Sequence, residues 1–265
     1  MPILTAQAGR GKCLGRCNMD SNRLRPFALT ILLLFSASHS WALALDDVVA
    51  RVESNYKNIA AFKGSFKQKA TLKTLNRVQE SMGKLFYKKP NKFKWQYTKP
   101  TEQEITSDGK TLWIYLPENK QAYIYELVDN QGIGGEGQIP GNFLNSLGDL
   151  GRDFNVKWGT PTERDAQGNY LILLVPKSPV ASIHELLLVI PRDITTTSSS
   201  AFPVIASTVR DAYGNTTNIE FTNIEILETV DGTAKAKKKT GGLPDTMFTY
   251  TPPAGVEIIK PPLTK

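Results

Sequence analysis

Few residues in this 265-residue chain could carry chemistry. A His/Cys metal site needs three or four ligands brought together. Cys13, Cys17 and His39 all fall in the first 39 residues, and beyond them only His184 remains. A Ser-His-Asp triad would have to use His184, but Ser182-Ile183-His184-Glu185-Leu186 contains no nucleophile elbow. A structural histidine, buried or on the sheet surface, is expected there. Glu102 and Glu104 could pair as glycosidase carboxylates. Alternate charged residues of a strand are instead read as its solvent face. Gly132-Ile133-Gly134-Gly135-Glu136-Gly137 matches G-x-G-x-x-G by letter. That motif works only between a strand and a helix of a parallel βαβ unit, and no such pattern surrounds it. Lys88 to Lys99 interleaves basic and aromatic residues as a single-strand nucleic-acid platform does. In a strand, however, Phe93, Trp95 and Tyr97 face one side and Lys92 and Lys94 the other. Aromatics facing an apolar interior and lysines facing water is the expected arrangement. The chemistry therefore points away from an enzyme: no catalytic residue, cofactor, metal or nucleic-acid partner is expected.

The elements that hold these residues begin after a leader. Arg10, Lys12, Arg16, Arg23 and Arg25 precede an apolar run over residues 27–35, and Ala42-Leu43-Ala44 supplies a small-x-small cleavage site. This order is that of a secretory signal peptide, with an apolar run too short for a transmembrane helix. Residues 1–44 are thus predicted to be cleaved, leaving 45–265 as a single domain; Met19 would start a leader of more usual length. Removing the leader lowers Lys+Arg from 32 to 27 and Asp+Glu from 25 to 24, so net charge falls from +7 to +3. The apparent nucleic-acid signal goes with it. Both cysteines precede the apolar run, so a lipid-attachment cysteine at the cleavage point is missing, and a soluble mature protein is expected.

Leu45, Val48, Val49, Val52, Tyr56, Ile59 and Phe62 recur at steps of three and four, predicting one amphipathic helix over residues 45–62. Asp46 and Asp47 suit its N-terminus. From Gly64 the period becomes two. Runs at 93–97, 170–175, 184–190, 205–209, 219–226 and 247–250 read as strands, with turn signals at Asp108-Gly109, Gln167-Gly168-Asn169 and Tyr213-Gly214-Asn215. The spacing predicts an antiparallel meander, mainly β with a few helices (α+β), in one strongly curved sheet. Phe143, Leu144 and Leu147 predict a brief helix, with Pro140 near its start. Residues 232–242 read as a solvated hairpin tip. Residues 45–265 keep 21 aromatics, a large supply for a sheet under a two-helix cover. Either they fill a packed core, or they line a sheet that holds an apolar ligand.

The residues resemble the periplasmic outer-membrane lipoprotein carriers, the LolA family. Gly64-Ser65-Phe66-Lys67-Gln68-Lys69 is similar to the family's first strand. Gly83-x-Leu85-Phe86-x-Lys88-Lys89-Pro90-x-x-Phe93-x-Trp95-x-Tyr97-x-x-Pro100, followed by Ser107-Asp108-Gly109-Lys110-x-Leu112-Trp113-x-Tyr115 and Gln121, resembles its central signature. Phe248-Thr249-Tyr250-Thr251-Pro252-Pro253-x-Gly255-Val256 resembles its C-terminal one. The resemblance implies an open, incomplete antiparallel β-barrel under a helical lid. It implies a periplasmic chaperone, expected to be monomeric, that takes acylated lipoproteins from an inner-membrane ABC transporter. The cargo would go to an outer-membrane lipoprotein receptor. The alternatives are a lipid-binding or envelope-stress sensor module of the same fold, or a carboxylate-based envelope hydrolase.

On this reading the acyl chains meet Phe93, Trp95 and Tyr97. They also meet Ile105, Leu112 and Ile114, which a two-residue Asp108-Gly109 hairpin places on one face by pairing Ile105 with Leu112. Trp113 and Tyr115 then face outward, and a longer turn is expected to reverse them. Phe143, Leu144 and Leu147 form the lid's inner face, and Val52, Tyr56 and Ile59 that of the first helix. Lys89 stands where the family commonly has an arginine associated with lid closure and handover. Lysine keeps the charge without the bidentate fork. The Ser/Thr run at 195–200 is longer than the family usually has and reads as a loop.

Overall fold

The computed structural model describes residues 44–127, 142–179, 182–194, 201–230, 236–238 and 242–261. The chain divides into two units, 1–41 and 42–265, and the described helices and strands belong to the second. The predicted leader up to residue 43, the glycine motif at 132–137, Pro140, the Ser/Thr run at 195–200 and most of 232–242 lie outside the described residues.

Helix α1 (Leu45–Lys57) leads into thirteen strands. These are β1 (Ile59–Leu72), β2 (Arg77–Lys88), β3 (Lys92–Lys99), β4 (Gln103–Ser107), β5 (Thr111–Leu116) and β6 (Gln121–Glu126). After a 3-10 turn (Asn142–Ser146) and the one-turn helix α2 (Leu150–Asp153) come β7 (Phe154–Trp158), β8 (Tyr170–Pro176), β9 (Glu185–Ile190), β10 (Ala206–Arg210) and β11 (Thr216–Val230). β12 (Ala236–Lys238), a 3-10 turn (Asp245–Phe248) and β13 (Glu257–Ile259) complete the order, and a further 3-10 turn (Pro117–Asn119) joins β5 to β6. All thirteen strands form one sheet in the order β13-β6-β5-β4-β3-β2-β1-β11-β10-β9-β8-β7, with β12 on β11. Its end strands do not pair with each other, so the sheet stays unclosed. Every pairing is antiparallel except β13 with β6.

α1 stops at Lys57, five residues short of the predicted end, and Ile59 and Phe62 belong to β1. Residues 59–62 are buried without a break, which one face of a helix cannot achieve, and they pair with both β2 and β11. Asn58 closes the helix, its N–H reaching the Ser54 carbonyl. The β4–β5 turn is two residues longer than predicted: Ser107 pairs with Leu112 and Ile105 with Ile114. Asp108 Oδ1 accepts the N–H groups of Lys110 and Thr111 and holds the longer turn. Because the slip is even, Ile105, Leu112 and Ile114 keep their common face and Trp113 and Tyr115 are not reversed. The predicted strand at 247–250 is instead the 3-10 turn Asp245–Phe248 and irregular chain, entered from Pro244.

Two turns share the sequence Asp-Ala-x-Gly-Asn. Asp165 and Asp211 each accept the backbone N–H groups two and four residues on, and Gly168 and Gly214 take positive φ. β11 carries a bulge against β1, which bends that strand locally. Between the pairings of Lys63 with Glu225 and Ser65 with Thr222 the register slips, with Asn223 at φ 53°. A Cβ on Gly64 would lie 2.3 Å from Ile224 Cδ1, so a side chain there would push the end of Ile224 aside.

Candidate functional site

The inner face of the sheet and its cover share one buried apolar cluster. On the β1–β5 side, strand alternation turns Phe62, Phe66, Leu85, Tyr87, Phe93, Trp95, Tyr97, Ile105 and Leu112 inward. On the far side β8, β9 and β11 add Ile172, Leu174, Leu186, Leu188, Ile219 and Phe221. Val48, Val52 and Tyr56 of α1 lie over this face, as do Phe143, Leu144 and Leu147 at the 3-10 turn Asn142–Ser146. All twelve apolar residues singled out from the sequence are therefore brought together. Eleven are buried and Ile114 is half-buried against them.

Sequence reasoning passed over five rings that link sheet to cover. Tyr56 contacts Tyr87, Tyr87 stacks on Phe62 at 5.2 Å, and Phe62 meets Phe202 at 4.8 Å. Phe202 meets Phe221, which meets both Phe143 and Trp95; Trp95 reaches Phe66, and Phe66 reaches Tyr97. Tyr87 was legible by its alternation with Leu85. Phe66 was legible from the strand period that begins at Gly64, whereas Phe62 was read into the helix. Phe202, outside any periodic run, gave no signal. The Cβ that any other residue would place at Gly83 would sit 1.9 Å from the Gln96 carbonyl oxygen and 2.9 Å from Phe66, so glycine makes room for this ring.

Among the described residues, few polar contacts tie the cover to the sheet. Lys89 Nζ donates to the Tyr56 carbonyl at 2.6 Å and the Lys57 carbonyl at 3.2 Å, at the C-terminus of α1. A cation there meets the carbonyls of the last helical turn and the negative end of the helix dipole. The ammonium also lies 4.7 Å from the centre of the Tyr56 ring. Burial, with Lys57 nearby, lowers the Lys89 pKa to about 8. Tyr87 Oη donates to Asn145 Oδ1 at 3.3 Å beside the 3-10 turn, and Glu53 Oε1 accepts the Leu150 N–H at 2.8 Å, joining α1 to α2. Burial raises the Tyr56 and Tyr87 pKa values, so both rings stay neutral in this interior.

The other candidates do not assemble. Glu102 precedes β4, and Glu104 on the outer face is held 2.7 Å from Lys94 Nζ while accepting from Thr106 and Gln96. His184 is exposed one residue before β9, which removes the buried alternative. Among the described residues no helix is long and apolar enough to cross a membrane.

The outer face carries its own cover. Leu243 and Phe248, with half-buried Met247, pack on Ala61, Phe86 and Leu227. Tyr250 lies over Trp113 at 5.1 Å and Tyr115 at 5.5 Å, which accounts for those large outward residues. Lys88 and Lys92 both pair with Asp245, at 2.7 and 2.9 Å.

An unclosed antiparallel sheet, curved around an apolar interior and covered by short helical segments, defines an open half-barrel binding fold. The family described as "Outer membrane lipoprotein carrier protein LolA" matches residues 57–234, and the chain belongs to that family. Among solved structures it is similar to an uncharacterized conserved protein from Thermus thermophilus. They share 11% identity and a TM-score of 0.44, over 82% of this chain and 98% of that one. It is also similar to a LolA superfamily protein from Nitrosomonas europaea, at 12% identity, TM-score 0.42, and 79% and 99% coverage. A third is the Pseudomonas aeruginosa MucA/MucB complex, at 11% identity, TM-score 0.34, and 68% and 56% coverage.

Proposed function

We propose that this protein is a periplasmic carrier that holds the acyl chains of lipoproteins between the sheet and its cover. It would receive them from an inner-membrane ABC transporter and pass them to an outer-membrane lipoprotein receptor. Family membership supports the class. The observation that carries the reading for this chain is the contrast at the inner face. An extensive apolar interface joins sheet and cover, while Lys89 supplies the polar tie at the end of α1. Acyl chains gain roughly 0.8 kcal/mol for each CH₂ taken out of water. They can replace the cover's own apolar side chains against the sheet at comparable free energy. Such exchange needs no covalent step. Handover then requires contact with a receptor whose apolar cavity competes better.

The test is to recover the protein from the periplasm and look for co-purifying triacylated lipoprotein by mass spectrometry. Lys89→Leu is expected to stay folded and bind cargo but fail to release it to the receptor. Normal release by that variant removes the role given to Lys89. Absence of any bound lipoprotein, in wild type and variant alike, removes the carrier reading and favours another lipid-binding module.

A further inference from the structure

β1 and β2 run on past the end of β3. Met82 pairs with Lys99, and from Ser81 to Arg77 β2 has β1 alone as a described neighbour. The hairpin closes through residues 73–76 beside the β10–β11 turn, and the Lys73 N–H donates to Asn215 Oδ1 at 3.0 Å, joining the two loops. Six large apolar side chains are exposed among the described residues, and three of them gather at this end: Leu75 at 69%, Val78 at 52% and Tyr213 at 73%.

We propose that this double-loop tip, with Leu75, Val78 and Tyr213 at its apex and Lys73 and Arg77 behind them, is a docking site for the surface of an anionic lipid bilayer. The charges favour that occupant. Asp211 is buried and turned into its own loop, accepting the N–H groups of Tyr213 and Asn215 and the Asn215 side-chain amide. Glu80 stands across from Lys69, and Arg210 pairs with Glu185 at 3.0 Å. Lys73 and Arg77 form no ion pair with any described residue, so positive charge stands behind the apolar apex. A tyrosine and aliphatic tips that enter the interface, with Lys and Arg stems reaching back to the phosphates, fit a headgroup layer. Three side chains on two adjoining loops fall well short of the roughly 800 Å² per partner of a stable protein interface. A fluid surface needs no matching pocket. The contact would be weak and reversible, combining a small apolar insertion with electrostatic attraction. The inference concerns where the molecule meets a membrane, not what it carries.

The test is vesicle flotation of the cargo-free protein, with all samples sharing one N-terminus so that the run at 27–35 contributes equally. Vesicles of phosphatidylethanolamine with phosphatidylglycerol are compared with phosphatidylcholine alone. Wild type is expected to float preferentially with the anionic vesicles, and less so at high salt. Leu75→Ser/Tyr213→Ser and the exposed-charge variant Lys73→Glu/Arg77→Glu are each expected to lower partition at least about tenfold. Equal flotation of wild type and both variants overturns the proposal. So does a wild type that ignores anionic vesicles, including one whose tip instead proves to bind a protein partner. Binding of a fluorescent acyl probe, measured on the same samples, is expected to be unchanged, which separates failure here from failure of the carrier reading.

Discussion

Two consecutive lysines hold the two covers of this sheet, and they hold them differently. Lys88, on the outer face of β2, reaches Asp245 and the Leu243 carbonyl in the C-terminal segment. Lys89, one residue on, turns inward and caps α1. The outer cover is woven into the sheet: the chain leaves β12 on β11, packs Phe248 and Tyr250 across the strands, and ends as β13 on β6. Of the inner cover, α1 adds no strand to the sheet, and its backbone is tied there by Lys89. The difference predicts which side stays and which opens more readily. A cover joined by backbone pairing unfolds with the sheet, while one joined by apolar side chains and a few hydrogen bonds opens locally at lower free energy.

The largest expected effect tests that division directly. Phe248 on the outer side and Phe143 on the inner side are both almost fully buried phenylalanines. Phe248→Ala is expected to lower global stability by about 3–5 kcal/mol, the usual cost of deleting a core ring. Phe143→Ala is expected to shift the main urea transition by less than about 1 kcal/mol, because its loss falls on local opening of the cover. Equal shifts in the two urea curves would break the comparison and make sheet and both covers one cooperative unit.

Much of this was legible from the sequence because strand alternation is a strong, local signal. The run 93–97 announces its inner face, and Asp165 and Asp211 announce their turns. The end of α1 was not legible. Ile59 and Phe62 continue a helical period by coincidence, and only pairing with β2 and β11 reveals a strand. The β4–β5 turn was misread because Asp108-Gly109 also fits a longer turn, yet the even slip left the face assignments intact. The outer cover was illegible for a different reason. Trp113 and Tyr115 face outward by register, and nothing local says that Tyr250, some 135 residues later, will cover them. The candidate site was legible residue by residue on the strands and much less so where cover meets sheet.

Lys89 gives the next effects, smaller and local. Removing its ammonium in Lys89→Leu uncaps α1, a contribution of about 0.3–1 kcal/mol. Hydrogen exchange is expected to speed up in α1 while amides of β1, β2 and β11 keep their protection. Uniform acceleration across helix and sheet would mean that Lys89 supports the whole fold instead of the inner cover. Titration sharpens the point. The Lys89 pKa lies near 8 in the folded protein, below the usual lysine value of 10.5, because the charged form is partly buried. Between those two values the unfolded chain binds more protons than the folded one. Stability of wild type relative to the non-titrating Lys89→Arg is therefore expected to rise from about pH 8 to 10.5 and to be constant below that window. Paired urea melts that run parallel from pH 7 to 10.5 would show that the ammonium is not buried against α1.

The smallest expected effect belongs to the outer clamp. Lys88 and Lys92, hydrogen-bonded to Asp245, lower its pKa to about 2 from an ordinary aspartate value of 3.8. The carboxylate is solvent-exposed, so the pair is screened and adds little to a cover already held by Phe248, Tyr250 and β13. A depressed acid contributes stability above its unfolded pKa and loses it as pH falls through the folded value. The difference between wild type and Asp245→Asn is thus expected to be small and flat from pH 5 to 8, and to vanish between about pH 4 and 2. Sodium chloride is expected to shrink it at neutral pH. Thermal melts across that range check both statements. If Asp245→Asn instead detaches the C-terminal segment, seen as rapid exchange of the β13 amides at pH 7, then electrostatics hold the outer cover as well. The two faces would then differ in chemistry but not in permanence.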